Sequence, residues 1–219
     1  MEDQDAELLR ALQDEHGDAL FAHAVRLTGG DRQRAEDLVQ ETLLRAWRHP
    51  EALDPERGAV LACFAEVADA FAREQQEDEA FFRLLHAVLQ AVKGGLDLEW
   101  AGRYFELWTL KLHGVLPPLA RCGHCGCAIG AGGGQYQRRE AIVTCRRCGE
   151  RRAGDPELPA AAVAAAAEIL KRAPAGLTGR PIDPAALTPL RALSLALFLD
   201  LTERRFRSYD VLEQLRRAT

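Results

Sequence analysis

Five of the six cysteines fall in one stretch of thirty residues, RCGHCGCAIGAGGGQYQRREAIVTCRRCGE, at 121–150. Their spacing is Cys122-x2-Cys125, nineteen intervening residues, then Cys145-x2-Cys148. Each C-x-x-C turn sets two sulfurs on one side of a tight loop. Gly126 and Gly149 follow the two pairs, so the backbone can fold over an ion. Four thiolates fill a tetrahedral site and leave no position open, which is the arrangement of a structural zinc ion, not a catalytic one. Cys127 and His124, in and beside the first knuckle, are the alternative ligands; the x2 spacing and the match between the two knuckles favour the four named cysteines.

Other chemistries for the same residues fit less well. A thioredoxin-like pair needs a strand before it and a helix after it, whereas a glycine loop follows Cys125. A zinc deaminase needs H-x-E and then P-C-x-x-C. His49-Pro50-Glu51 has the first form, but Arg121 stands where the proline belongs. GAGGGQ at 130–135 lacks the lysine and the strand–loop–helix setting of a phosphate loop, and reads as a flexible tip between two ribbon arms. Cys63 lies on the apolar side of a helix and reads as core. Trp100, Tyr104 and Trp108 recur one helical turn apart, the spacing of core packing. No G-x-S-x-G, H-E-x-x-H, Walker or G-x-G-x-x-G pattern is present, and the chain reads as non-enzymatic.

Charge is distributed unevenly. The whole chain carries a formal −5, and residues 1–58 hold 14 acidic against 7 basic residues. Residues 121–152 hold seven arginines against Glu140 and Glu150. Arg138, Arg139, Arg146, Arg147, Arg151 and Arg152 therefore make either the solvated face of a small ribbon or a surface for a phosphate backbone. Arg204, Arg205 and Arg207, around Phe206, form a second basic cluster. It reads either as nucleic-acid contact or as favourable charge at a helix C-terminus.

The elements that must position these groups are helical. Leu8, Leu9, Leu12, Leu20, Phe21, Ala24 and Leu27 form one stripe, and GGD at 29–31 ends it and caps the next. Ala35, Leu38, Val39, Leu43 and Ala46 follow at helical spacing up to Pro50. HPEALDPERG, 49–58, is the linker candidate. Val60 to Phe71, Phe81 to Val92, and Ala101 to Leu112 predict three more helices. Beyond the cysteines, helices are expected over 159–172, 186–205 and about 209–217. Tyr136 and Val143, flanking the glycines, are the strand sites. No apolar run approaches the roughly 20 residues of a membrane span, and the acidic start MEDQDAELLR is unlike a leader peptide. A cytoplasmic protein with no membrane partner is the expectation.

From about residue 59 to 219 the chain resembles the C-terminal region of the bacterial recombination mediator RecO. The resemblance rests on ACFAEVADAF (62–71), YFELWTLKLHGVLPPLARCGHCG (104–126), TCRRCG (144–149) and LALFLDLTERRFRSYDVL (195–212). It implies DNA repair and homologous recombination without catalysis. The partners it implies are RecR, the SSB C-terminal tail docked on the helical domain, and single-stranded DNA, with RecA loading and strand annealing as outcomes. That family normally starts with an OB barrel, and no such barrel is expected here, which weakens DNA binding.

The first 58 residues, through LLRALQDEHGDALFAHAVRLTGGDRQRAEDLVQETLLRAWRHPE, instead resemble the start of region 2 of an extracytoplasmic-function sigma factor. That similarity implies RNA polymerase as a partner. The expected architecture is mainly α: a sigma-like segment at 1–58, then a RecO-like helical domain at 59–219 with a four-cysteine zinc ribbon inserted at 121–152. The alternatives are a polymerase-binding transcription factor and a protein adaptor that does not touch DNA.

Overall fold

The computed structural model describes residues 13–14, 17–18, 20–48, 54–71, 78–150 and 152–218. Leu8, Leu9, Leu12, His49, Pro50, Glu51 and Arg151 lie outside them. The chain divides into two compact units, residues 1–59 with 218–219, and residues 60–217.

In the first unit, a helix at 20–27 (α1) is followed by α2, Arg32–Arg48. Gly29 and Gly30 turn the chain in left-handed conformations, with φ of 65° and 95°. Asp31 then accepts a hydrogen bond from the Arg34 N–H at 3.1 Å, capping α2. Ala24, Ala35 and Leu43 are buried, while Leu27 and Leu38 are exposed. Helix α3, Pro55–Phe71, starts earlier than its apolar stripe predicts. Asp54 accepts from the N–H groups of Glu56 (2.9 Å) and Arg57 (3.3 Å), and Pro55 follows it directly. An Asp cap with proline at the first helical position starts a helix, so PERG is helical, not linker.

The larger unit is built around α5, Leu98–Leu112, in which ten residues from Trp100 to Leu110 are buried. It packs against α4 (Glu79–Lys93), α6 (Ala160–Lys171) and α7 (Pro184–Thr202). Asp78 and Asp97 cap α4 and α5, accepting from Phe81 N–H at 2.9 Å and Glu99 N–H at 2.7 Å. Phe105 is fully buried, with ring centroids 4.6 Å from Phe64 and 5.9 Å from Phe81. Cys63 is buried beside them, as its position predicts. Trp100 and Tyr104 are also core, and the Tyr104 hydroxyl and the Trp108 indole donate to backbone carbonyls of Arg172 and Ile169, both at 3.1 Å. Helix α7 is long and apolar enough to cross a bilayer, but Leu187, Leu190, Leu193, Leu197 and Phe198 are buried within the unit, and it is a core helix. Helix α8, Arg207–Ala218, closes the sequence.

Between α5 and α6 lies a three-stranded antiparallel sheet in the order β2-β1-β3. Strand β1 is Gly134–Gln137, β2 is Ile142–Cys145 and β3 is Glu157–Leu158. Tyr136 sits opposite Val143, and Gln135 opposite Thr144 on one side and Glu157 on the other. The glycine run is not the tip of the ribbon. The β1–β2 turn is made by residues 138–141, with Ala141 at φ 54°, and the glycines lead into β1. A Cβ on Gly133 would lie 2.6 Å from the Leu158 carbonyl, and one on Gly134 2.7 Å from that of Thr144. These glycines let backbones approach; flexibility is not their role. Among the described residues there is no barrel, and the fold is mainly α with a small inserted ribbon.

Candidate metal centre and basic ribbon

The four knuckle cysteines come together. The Sγ atoms of Cys122, Cys125, Cys145 and Cys148 all lie within 4.8 Å of one another, and Cys125 and Cys145 are 3.9 Å apart. Tetrahedral Zn–S bonds of about 2.3 Å put sulfurs roughly 3.8 Å apart, so the donor set fits one ion. None of the six cysteines is in a disulfide.

Local backbone geometry makes the cluster. In the first knuckle the Gly126 N–H donates to the Cys122 carbonyl at 2.9 Å, and Gly126 has φ 71°. The Cys122 N–H donates to the Cys127 carbonyl at 2.9 Å, and Arg121 pairs with Ala128. The Gly123 N–H donates to Val143 at 2.8 Å, fastening this loop to β2. In the second knuckle the N–H groups of Cys148 and Gly149 both point to the Cys145 carbonyl, at 3.0 and 2.9 Å. A side chain at Gly149 would collide with Thr144 Oγ1.

The electrostatics suit a cation. The N–H groups of Arg147 and Cys148 aim at the Cys145 sulfur and pull its thiol down to about 6. Burial works to raise Cys122, but N–H groups of Cys125, Cys145 and His124 outweigh it and lower the thiol. Cys148 donates its proton toward Cys125 and Cys145 and is pushed up to about 12. Cys127 does the same from the edge and is pushed up to about 11. A divalent cation would bind the four sulfurs as thiolates and displace any protons they carry. His124 is occupied elsewhere, with Nε2 2.9 Å from Glu140.

Of the nine arginines that the sequence singles out, Arg151 lies outside the described residues, and the other eight differ in their partners. Arg138 reaches Asp200 of α7, with Nε 3.1 Å from both carboxylate oxygens. Arg204 lies 3.5 Å from Asp69, and Arg205 is 2.9 Å from Asp210. Arg147 faces the Cys127 and Cys145 thiols. Arg139, Arg146 and Arg207 have no carboxylate partner among the described residues. Arg152 pairs with Glu150 at 2.9 Å. The ribbon therefore has more counter-charge than its own sequence offers, because Asp200 arrives from a helix 62 residues away.

Two polar groups that the spacing does not reveal hold the domain together. The Arg103 guanidinium is buried and pairs with Glu106, and Nε is 2.8 Å from Oε2. Tyr209 of α8 donates to the same carboxylate at 2.9 Å. Burial opposes the Arg103 charge, and the Glu106 carboxylate more than offsets it. Glu66 of α3 accepts from the N–H groups of Arg207 (3.0 Å) and Ser208 (2.9 Å), capping α8 from outside it. An i, i+3 Arg–Glu pair on a helix reads as solvent-facing; only the buried aromatic partner distinguishes it.

Residues 52–210 match the family described as Recombination protein O C terminal. The chain belongs to that family. The curated DNA repair protein RecO of an Anaeromyxobacter strain is 31% identical over 122 residues, covering 56% of this chain and 47% of that protein. RecO of Pelotomaculum thermopropionicum is 39% identical over 74 residues, 34% of this chain and 28% of its own. Residues 12–67 match Sigma-70 region 2. The ECF RNA polymerase sigma factor SigL of Mycobacterium tuberculosis is 61% identical over 49 residues, 22% of this chain and 27% of SigL. The chain thus spans less than half the length of each of these curated relatives. The two family matches overlap at 52–67, where α3 begins.

Proposed function

We propose that this RecO-family chain acts in DNA repair and homologous recombination as a non-enzymatic mediator in the cytoplasm. It engages single-stranded DNA together with RecR and the SSB tail and assists RecA loading and annealing. The observation that carries this reading is the family match across 52–210, which includes both the helical core and the ribbon. Residues 59–219 are taken as the repair module, with the ribbon at 121–152 inserted in it.

Cys122, Cys125, Cys145 and Cys148 hold one structural zinc in this reading. The metal supplies a fixed tetrahedral junction between the two knuckles. The chain's own part is to aim backbone N–H groups at the sulfurs and to keep Arg139 and Arg146 on an ordered surface. Of the candidate nucleic-acid contacts, these two and Arg207 are free of carboxylates among the described residues, whereas Arg138, Arg204 and Arg205 are engaged by them.

A second reading has its own observation. The 61% identity to SigL over 49 residues favours RNA polymerase as a partner of residues 1–58. Binding of the purified chain to RecR, SSB tail peptide, single-stranded DNA and RNA polymerase separates the two. Affinity for RecR or the SSB tail supports the repair reading. Polymerase binding with no affinity for RecR, SSB tail or DNA overturns it.

A further inference from the structure

Cys127 is the one cysteine of the ribbon that the four-sulfur site does not use. Its thiol nonetheless lies against the sulfurs of Cys125 and Cys145, toward which it donates, and Arg147 faces it as well. The backbone fixes it there. The Cys127 carbonyl accepts from the Cys122 N–H at 2.9 Å, and the next residue, Ala128, pairs with Arg121 across the knuckle. Gly126, at φ 71°, turns the chain between Cys125 and Cys127 so that their thiols meet. Exposure separates the ligands. Cys125 is exposed, Cys127 and Cys148 are half-buried, and Cys122 and Cys145 are buried. A dissolved oxidant therefore meets Cys125 first. With zinc bound, the sulfurs of Cys122, Cys145 and Cys148 are held by the metal. Cys127 is then the ribbon thiol left free to act as a nucleophile, and it is already in contact with Cys125.

We infer that Cys125 and Cys127 form an oxidation site, with Cys127 as the resolving thiol, through which peroxide makes the ribbon give up its zinc reversibly. The inference rests on the four-cysteine zinc reading. In the first step the Cys125 thiolate attacks one peroxide oxygen. The O–O bond breaks, hydroxide leaves, and Cys125 becomes a sulfenic acid. In the second step the Cys127 sulfur attacks the Cys125 sulfur and the S–O bond breaks. The hydroxyl leaves as water with the Cys127 proton, which already points at Cys125. The two sulfurs together lose two electrons, and the peroxide gains them. A disulfide sulfur is not a thiolate ligand, so the site falls to three donors and releases the ion. Reduction by a dithiol restores it. Without Cys127 the sulfenic acid persists and proceeds toward the sulfinic acid, which thiols do not reverse.

The test treats the zinc-loaded full chain, its zinc first counted by native mass spectrometry, with limiting hydrogen peroxide. Released zinc is read with a chromogenic chelator, disulfides by peptide mapping, and sulfenic acid by dimedone labelling. The wild-type chain is expected to form a Cys125–Cys127 disulfide, to release zinc, and to regain both after dithiothreitol and added zinc. Cys127→Ser is expected to hold zinc as the wild type does, and to give about tenfold more dimedone adduct at Cys125 because the placed nucleophile is gone. A first disulfide between two ligands, with Cys127 still a free thiol, overturns the inference. Equal dimedone labelling in the two proteins overturns it too, as does retention of zinc and of all six thiols under peroxide. Zinc loss from Cys127→Ser before any oxidant is added would make Cys127 a ligand, and would overturn the four-cysteine assignment as well. Absence of zinc from the untreated wild type fails the zinc reading itself, and the inference falls with it.

Discussion

The ribbon and the helices around α5 are stabilised by different means, although they belong to one compact unit. Around α5 the fully buried side chains include Phe105, Phe198, Leu107, Leu110, Leu190 and Leu193. The ribbon and β3 bury Tyr136, Val143, Ile129 and Leu158, and little else that is large. Apolar burial at about 25 cal/mol per Å² can hold the first; the second is too small to be held that way alone. Its knuckles are ordered by sulfur, glycine and backbone hydrogen bonds. The helical body should therefore survive loss of the metal, and the ribbon should not.

Chelation, or Cys145→Ser, breaks that comparison most severely. Structural zinc sites contribute on the order of 10–16 kcal/mol. We expect the ribbon amide signals from 121 to 150 to collapse while far-UV circular dichroism keeps most of its helical signal. Loss of helix in step with the ribbon would mean that the two regions fold as one.

Next in size is the buried polar group of the helical region. Glu106→Ala leaves the Arg103 guanidinium buried with only Glu99 to answer it, and Tyr209 loses its acceptor. The expected cost is about 3–5 kcal/mol in urea unfolding, with zinc binding unchanged. Coupled loss of zinc affinity would show that the core supports the ribbon more directly than this account has it.

Sequence revealed the two regions unequally, for physical reasons. C-x-x-C is a local turn, so Cys122, Cys125, Cys145 and Cys148 could be grouped without knowing the fold. The stripes through Phe81–Val92 and Ala101–Leu112 follow the helical period and marked α4 and α5 well. Glycine was ambiguous: Gly133 and Gly134 are needed for close backbone approach to Leu158 and Thr144, yet their run looks like a mobile tip. The two-residue β3 has no period to read. Nor does local sequence carry the pairing of Arg138 with Asp200, or of Glu66 with the start of α8, because the partners are far apart in the chain.

Smaller effects sharpen the account. Hydrogen bonds from Ser208 and the Arg207 N–H hold the Glu66 carboxyl below its ordinary value despite the opposing effect of burial. A carboxylate with a depressed folded pKa stabilises above its unfolded pKa, near 4.5, and that contribution fades as pH falls through the folded value. Glu66→Gln should therefore cost about 1 kcal/mol at neutral pH, the scale of a lost helix cap, and progressively less below pH about 4. A cost that does not change with pH would mean that Glu66 acts by shape alone. Asp200→Asn, which releases Arg138 from a partly exposed pair, should change stability by under about 1 kcal/mol. It should also tighten single-stranded DNA binding at low salt, because one more arginine is set free; unchanged or weaker DNA binding would place Arg138 outside the contact surface.

The most direct test is the metal content of the purified chain by elemental analysis and native mass spectrometry. One zinc per chain is expected, lost in Cys122→Ser, Cys125→Ser, Cys145→Ser and Cys148→Ser and retained in Cys127→Ser. Less than one zinc in the wild-type chain, or full retention after Cys145→Ser, would contradict it.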